Sequence, residues 1–252
     1  MKRIFVMALA CGALGVGGCG SDDDESSSAG STTTGDERKS TLPQGSEPVT
    51  LDPGDFTANI DNPYLPFETG RRWVFSEHEG GATNRVVITV TDKTKKIEGI
   101  TSRVVHDVVT ENGRLIEDTH DWYAQDSDGN VWYMGEATTE FENGKPKTTE
   151  GSWQAGVDGA EPGIAMPADP TVGLAYRQEY YKGHAEDRAR VLSLDAPVTV
   201  PAGKFGQALE TEDIGPLGKK TIEHKYYVKG VGQVLAEGAK GGGREELVSY
   251  TR

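Results

Sequence analysis

The sequence predicts an all-β fold, a curved antiparallel sheet or an open barrel preceded by a disordered tether. The first observation behind this prediction is a series of three turn signals: Asn112-Gly113, Asp128-Gly129 and Asn143-Gly144. Asn, Asp and Gly readily adopt the positive φ angles that tight hairpin turns require. The second observation is that apolar residues between these turns recur with a period close to two, as in strands, and that no long amphipathic pattern of helical period is found.

The turn signals divide the middle of the chain into a four-stranded meander, over residues 101–111, 114–125, 130–142 and 145–153. Two further strands are expected upstream, at 72–79 and 84–94. Strand-like segments follow downstream at 175–181, 185–194, 198–200, 207–213, 219–227, 232–237 and 245–251. Together these segments indicate a single antiparallel β domain over residues 50–252. Between the two groups, residues 156–173 are rich in Gly, Pro and Ala and are expected to form a long loop, a kind of segment that often has a function.

The amino terminus has the order of an export signal: two basic residues, an apolar run over residues 4–16, and small residues before Cys19. The apolar run is too short to span a bilayer, which needs about 20 residues in a helix. The sequence Val16-Gly17-Gly18-Cys19 resembles a bacterial lipobox. Residues 1–18 are therefore predicted to be a lipoprotein signal peptide and Cys19 to be the lipidated residue, in preference to Cys11, which has few apolar residues before it.

Residues 19–49 contain the lipidated cysteine and then mostly Ser, Thr, Asp, Glu and Gly. Such a composition buries too little apolar surface to offset the entropy of ordering. We therefore expect an acidic, disordered tether that holds the β domain away from the membrane. The predicted location is the bacterial cell membrane, with the chain anchored by its lipid on the extracytoplasmic face. The mature chain would keep Cys19 alone, so neither a disulfide nor a cysteine-based metal site is expected.

The charge of the chain restricts its partners. With 26 basic and 40 acidic residues, the net charge is -14. This argues against nucleic acid, which requires basic patches, and against electrostatic attachment to anionic lipid headgroups. The lipid on Cys19 is left as the expected membrane contact, and simple solubility is the plainer explanation of the negative charge.

The hairpins also predict which side chains share a face of the sheet. If each turn is a two-residue loop, Val104 opposes Asp121, Asp121 opposes Glu136, and Met134 opposes Trp153. One face then has Asp121 and Glu136 among Val104, His106, Val108, Leu115, Tyr123, Trp132, Met134 and Trp153. The other face has Val105, Val109, Ile116, Trp122, Tyr133 and Phe141. A slip of one residue would reverse these assignments. From the first face we take six candidate ligand-binding residues: His106, Asp121, Tyr123, Trp132, Glu136 and Trp153.

Asp121 and Glu136 beside His106 could act as a general acid and base or bind a cation. Facing carboxylates repel, so the pair would have to be solvated, protonated or neutralised by a partner. A solvated sheet face is the alternative explanation of the pair. The aromatic residues could likewise line a ligand pocket or simply fill a β core.

Other motifs give no catalytic or metal signature. The segment Asp126–Asn130 has the acidic spacing of a calcium loop, but Ala124 stands where a full pattern needs an acid, and a hairpin turn explains the same residues. The five histidines lack a spacing such as His-x-x-x-His. No nucleophile elbow, P-loop or dinucleotide fingerprint is found. No catalytic residue, metal or cofactor is therefore predicted.

Several blocks together carry a family resemblance: Asn62–Pro66 with Gly70–Trp73, Asp121–Asp126 with Gly129–Tyr133, Gly151–Trp153 with Ala165–Ala168, and Gly230–Gly232. Over nearly the whole β domain the chain resembles a family of bacterial exported β proteins, frequently lipoproteins, of unknown function. The resemblance implies an exported β fold and transfers no catalytic residue.

The leading hypothesis from the sequence is a membrane-tethered, non-enzymatic β domain that binds a small ligand or an envelope protein. A hydrolase or other enzyme that uses Asp121 and Glu136, with residues 156–173 as a lid, is the first alternative. A structural or assembly lipoprotein is the second.

Overall fold

The computed structural model describes residues 42–215, 222–239 and 242–251. The predicted signal peptide, Cys19 and the tether up to residue 41 lie outside these residues. In the described ranges the chain forms one sheet of 16 strands and a short 3-10 turn at Pro53–Asp55. The strands are β1 Phe56–Thr57, β2 Arg72–Glu79, β3 Ala82–Ile97, β4 Ile100–Glu111, β5 Arg114–Asp126, β6 Val131–Glu142, β7 Lys145–Thr148, β8 Trp153–Gln154, β9 Glu161–Met166, β10 Ala175–Arg177, β11 Glu179–Tyr180, β12 Arg188–Val200, β13 Gly203–Ile214, β14 Ile222–Val228, β15 Gly232–Gly238 and β16 Arg244–Thr251.

All strand pairings are antiparallel, and the sheet is a nearly closed barrel. Its main path runs β10-β12-β13-β14-β15-β16-β2-β3-β4-β5-β6-β9-β11. The two ends of this path, β10 and β11, are consecutive in the chain. The same stretch of backbone therefore pairs with β12 on one side and with β9 on the other. The predicted all-β antiparallel fold is confirmed.

The barrel closes where β9 meets the backbone that joins β10 to β11. A Cβ atom added to Gly163 would lie 2.3 Å from the carbonyl oxygen of Gln178. No side chain can occupy that space, so glycine at this position allows the closing strands to approach each other.

Two of the three predicted turns have the expected geometry. Asn112 and Gly113 have φ angles of 49° and 77°, and Asn143 and Gly144 have 54° and 75°. Both central residues are thus left-handed, as a type I′ hairpin turn requires. The Asp128-Gly129 turn is wider, because the Asp126 N–H donates to the carbonyl oxygen of Asn130 at 3.0 Å across three intervening residues.

Bulges change the register that the sequence predicted between β4 and β5. Thr110 pairs with Leu115 but Val109 pairs with Glu117, so Ile116 is an extra residue on β5. Asp121 consequently faces Val105. The prediction that Asp121 opposes Val104 is wrong, and Val104 and His106 lie on the opposite face of the sheet.

Two irregularities change the register between β5 and β6, the wider turn and a bulge in β6, and their effects on the pairing cancel. Asp121 opposes Glu136 as expected, because Met134 bulges and compensates for the wider turn. Trp153 then opposes Glu136 and not Met134, which corrects the third predicted pair. At the bulge, Gly135 has a φ of 123°, and a Cβ on it would lie 2.4 Å from the Trp153 carbonyl oxygen.

Two segments differ from their predicted state. Residues 42–49, assigned to the tether, pack against the barrel: Arg177 Nη1 donates to the carbonyl oxygens of Gly45 and Glu47, and Leu42 is buried. Residues 156–173 were expected to be a loop but contain β9, which pairs with β6 and β11 and is largely buried. A strand that closes the barrel cannot serve as a lid.

In the part of the chain that the structure describes, no helix is long and apolar enough to cross a membrane.

Candidate functional site

Neighbouring strands place a row of side chains on the inner face of the barrel. Val90, Val105, Asp121, Glu136 and Trp153 follow one another in register from β3 to β8. Because directly opposed residues point to the same side of a sheet, all five face inward. Asp121 is 3% exposed and Glu136 is 2% exposed, so two acids lie in a row that is otherwise apolar.

A cavity of about 80 Å³ lies inside the barrel next to Asp121. Its apolar wall has aromatic rings from three parts of the chain: Phe67, Trp73, Phe75, Tyr123 and Tyr227. The Phe67 ring centroid lies 5.0 Å from that of Tyr123 and 5.9 Å from that of Trp73. The segment before β2, which contributes Leu65 and Phe67, thus forms part of the cavity wall.

The same cavity has a polar side formed by Asp107, Asp121, Gln178, Lys225 and Gln233. The cavity therefore offers aromatic surface on one side and charged and amide groups on the other. A few polar groups in a mainly apolar wall are typical of small-ligand sites.

The Tyr133 hydroxyl donates a hydrogen bond to Asp121 Oδ1 at 2.7 Å. Oε1 of its neighbour Glu136 is buried and accepts no hydrogen bond from any described residue. Burial raises the pKa of Asp121 to about 7. Burial, and then the charge of Asp121, raises the pKa of Glu136 well above its ordinary value. Of the states open to a facing carboxyl pair, protonation is therefore the one that this environment favours.

A second pair of acids, Glu179 and Asp187, lies near Glu136. Both carboxyl oxygens of Glu179 are buried without a hydrogen bond of normal geometry to the described residues, and so is Nε1 of Trp153. Burial first, and then the charges of Asp187 and Glu136, raise the pKa of Glu179. Burial also raises the pKa of Asp187 to about 6. Unpaired buried polar atoms are costly, so this region is suited to receive hydrogen-bonding groups from a ligand or from water.

Lys225 is the cationic side chain at the cavity wall, and acids already surround it. Its Nζ lies 2.8 Å from Asp213 Oδ2 and 3.5 Å from Glu223 Oε2. Gln178 also donates to Asp213 Oδ2 at 3.1 Å. Because Lys225 is paired in this way, its charge does not neutralise Asp121, and the interior keeps an excess of carboxyl groups.

Of the six residues predicted to bind ligand, the structure places four inside the barrel: Asp121, Tyr123, Glu136 and Trp153. His106 and Trp132 lie on the outer face. Trp132 packs edge-on to Phe56, and its Nε1 donates to Asp126 Oδ2 at 2.7 Å. The proposed cooperation of His106 with Asp121 and Glu136 is therefore wrong, because the sheet itself separates the imidazole from the two acids.

The resemblance of Asp126–Asn130 to a calcium loop is explained by a turn. The Asp126 carboxylate accepts hydrogen bonds from the Asn130 N–H at 2.8 Å and from Asn130 Nδ2 at 2.9 Å, in addition to the bond from Trp132. The carboxylate thus fixes the hairpin, as the plainer interpretation of the sequence expected.

Reasoning from sequence missed Glu179, Asp187, Lys225 and Tyr227. Lys225 alternates with Glu223 and Tyr227 along β14, a pattern that is equally typical of a solvated strand face. Only the closure of the barrel brings Lys225 and Tyr227 to the same cavity as Asp121, and no local signal in the chain predicts this.

Comparisons with known proteins give one similarity. A scan against protein-family models and a search of curated proteins found no match. Among solved structures, the chain is similar to a "putative lipoprotein" from Parabacteroides distasonis ATCC 8503, with 12% sequence identity and a TM-score of 0.44, over 75% of this chain and 99% of that one. Similarity at this level supports no argument about fold or function. The resemblance to a family of exported β proteins remains an expectation from the sequence.

Proposed function

We propose that this chain is a lipid-anchored, extracytoplasmic, non-enzymatic protein that binds a small organic cation inside its barrel. The observation that carries the proposal is the cavity beside Asp121, where aromatic rings face a buried carboxyl group that no described cation neutralises. The lipid anchor is supported by the residues before Cys19.

The two sides of the cavity suit an organic cation for different reasons. The faces of Trp73, Phe67 and Tyr123 carry the negative part of the aromatic quadrupole and attract an ammonium group. Burial raises the pKa of Asp121 to about 7, so part of the population carries a proton near neutral pH. Asp121 would lose this proton when a cation binds, since an opposite charge stabilises the ionised form. Binding would thus exchange a proton for the ligand.

The size of the cavity limits the ligand. A volume of about 80 Å³ is about half that of an engineered cavity of roughly 150 Å³ that holds one benzene molecule. The expected ligand is therefore compact, with roughly three to five non-hydrogen atoms at the cationic end. Methylammonium and tetramethylammonium are suitable probes.

The test is isothermal titration calorimetry of the full chain with tetramethylammonium, and with tert-butanol as a neutral probe of similar shape. We expect the cation to bind and its binding to weaken as the pH falls from 8 to 5. Below the pKa of Asp121, which is about 7, the heat should depend on the buffer because binding releases a proton. Equal binding of the two probes would contradict the proposal.

Two variants on the same strand locate the site. Asp121→Asn removes the inward charge and should abolish the preference for the cation. Asp118→Asn removes a charge on the outer face of β5 and should leave binding unchanged when a chelator is present. Unchanged binding in Asp121→Asn would place the cation elsewhere.

A further inference from the structure

Three side chains that can bind a metal meet on the outer face of β4 and β5. His106 and His120 are direct cross-strand partners, and their rings stack with centroids 4.4 Å apart and an interplanar angle of 20°. Asp118 lies two residues before His120 and so points to the same side of the sheet. Its Oδ2 is 3.1 Å from His106 Nε2, and its Oδ1 is 3.4 Å from His120 Nδ1.

We propose that His106, Asp118 and His120 form a binding site for a divalent transition metal, of which zinc fits best. One donor atom from each of the three residues lies within 4.8 Å of the other two. In a tetrahedral zinc site with bonds of about 2.0–2.2 Å, neighbouring donor atoms are roughly 3.3 Å apart. The two contacts, 3.1 and 3.4 Å, are close to that spacing, although they join the two different oxygens of Asp118 to the imidazoles. Because a metal ion lies in the plane of each imidazole that binds it, the stacked rings must rotate so that their nitrogens point at one ion.

The chemistry of the donors selects the class of metal. Two imidazoles and one carboxylate suit zinc, copper, nickel and cobalt, whereas magnesium and calcium prefer sites made of oxygen atoms. Three protein ligands leave a fourth position open for water or for a ligand from another molecule.

A metal ion between His106, Asp118 and His120 would bind both imidazoles and offset the negative charge of Asp118.

The site is accessible and separate from the barrel interior. The side chains of His106, Asp118 and His120 are 32%, 31% and 39% exposed. An ion can therefore reach them without opening the fold. They lie on the side of the sheet opposite Asp121. A test of metal binding can therefore fail without affecting the proposed binding of an organic cation, and the reverse also holds.

The test is titration of the full chain, without a histidine tag and stripped of metal by a chelator, with Zn²⁺ and with Co²⁺. Zinc binding is measured by calorimetry, and cobalt binding by the visible absorption of a tetrahedral or five-coordinate ion. We expect one ion per chain, with binding that weakens in acid because protons compete with the metal for its ligands.

Variants decide whether the ion is at this site. His106→Ala and His120→Ala should each weaken binding by more than the roughly 10- to 100-fold typical of outer-shell partners, and Asp118→Asn should weaken it while leaving the imidazoles in place. His224→Ala is the matched control, because His224 pairs with the single acid Glu210 at 2.9 Å. No zinc binding, or equal binding in the wild type and in His106→Ala with unchanged circular dichroism, would overturn the proposal.

Discussion

The pKa shift of Asp121 makes a prediction about stability that runs against the usual effect of acid on proteins. Its pKa rises from 3.8 to about 7 in the folded chain, chiefly because it is buried. The folded state therefore binds more protons than the unfolded state between these values. The contribution of this group to stability is fully present below pH 3.8 and is lost as the pH rises through about 7. Asp121→Asn, a neutral side chain of the same shape, should abolish that loss.

The magnitude follows from the shift. About three pKa units at 1.36 kcal/mol each give roughly 4 kcal/mol by which folding disfavours the ionised Asp121 at pH 8. The Asn side chain keeps an oxygen that can accept the hydrogen bond from Tyr133. Removing the charge should also lower the pKa of Glu136, since Asp121 is one of the causes that raise it. Asp121→Asn should thus be more stable than the wild type by up to about 4 kcal/mol at pH 8, and by less than about 1 kcal/mol at pH 4.

Urea unfolding at both pH values, followed by tryptophan fluorescence, measures this difference. The urea concentration at half-unfolding reports the free energy of unfolding, provided that the dependence of this free energy on urea concentration is the same in both proteins. Asp118→Asn on the outer face of the same strand is the control. It should change stability by no more than about 1 kcal/mol, the usual range for exposed ion pairs. If Asp121→Asn is no more stable than the wild type at pH 8, or gains equally at both pH values, Asp121 is not the costly buried acid described above.

Three other changes test the closure of the barrel, the amino-terminal segment and the anchor. Gly163→Ala should destabilise the fold by about 2 kcal/mol and so lower the melting temperature, because its Cβ would lie 2.3 Å from the Gln178 carbonyl oxygen. Gly206→Ala, at a position with open space, should leave the melting temperature unchanged. Arg177→Met removes hydrogen bonds to three backbone carbonyls, two of them in residues 42–49. A protease should therefore cut residues 42–49 sooner in the variant than in the wild type. Unchanged protection from the protease would show that other contacts hold this segment. Cys19→Ala should move the protein from the membrane to the soluble fraction, and full retention at the membrane would refute the lipobox assignment.

The strands of the meander could be predicted because their signals are local. Asn112-Gly113 and Asn143-Gly144 adopt the left-handed φ angles that their residue types favour. The strands between them alternate in the way that a half-buried sheet requires. Strand β9 was missed because Pro162 and Gly163 are residues that usually break strands; here Gly163 is needed for close approach, an interaction with residues far along the chain.

The site could be predicted only in part, and one bulge explains most of the error. The pairing of Asp121 with Glu136 was correct because two shifts of register cancel between β5 and β6. The bulged residue Ile116 on β5 shifts the register between β4 and β5, and no second shift cancels it. His106 therefore lies on the face of the sheet opposite Asp121. A bulge at that position is fixed by the packing of both strands, so turn chemistry alone could not reveal it.

The same bulge gives strands β4 and β5 two chemically different faces. Inward, Asp121 and Glu136 are two acids in an otherwise apolar row, and the burial of Asp121 costs stability. Outward, His106 and His120 stand opposite each other with Asp118 beside them. Departures from the apolar-in, polar-out rule tend to be found at functional sites. If Ile116 were paired and not bulged, Val104 would oppose Asp121, and His106 would lie on the same face of the sheet as Asp121. The bulge at Ile116 instead places His106 and His120 together on the outer face, where the metal site is proposed, and leaves Asp121 inside, where the organic cation is proposed to bind.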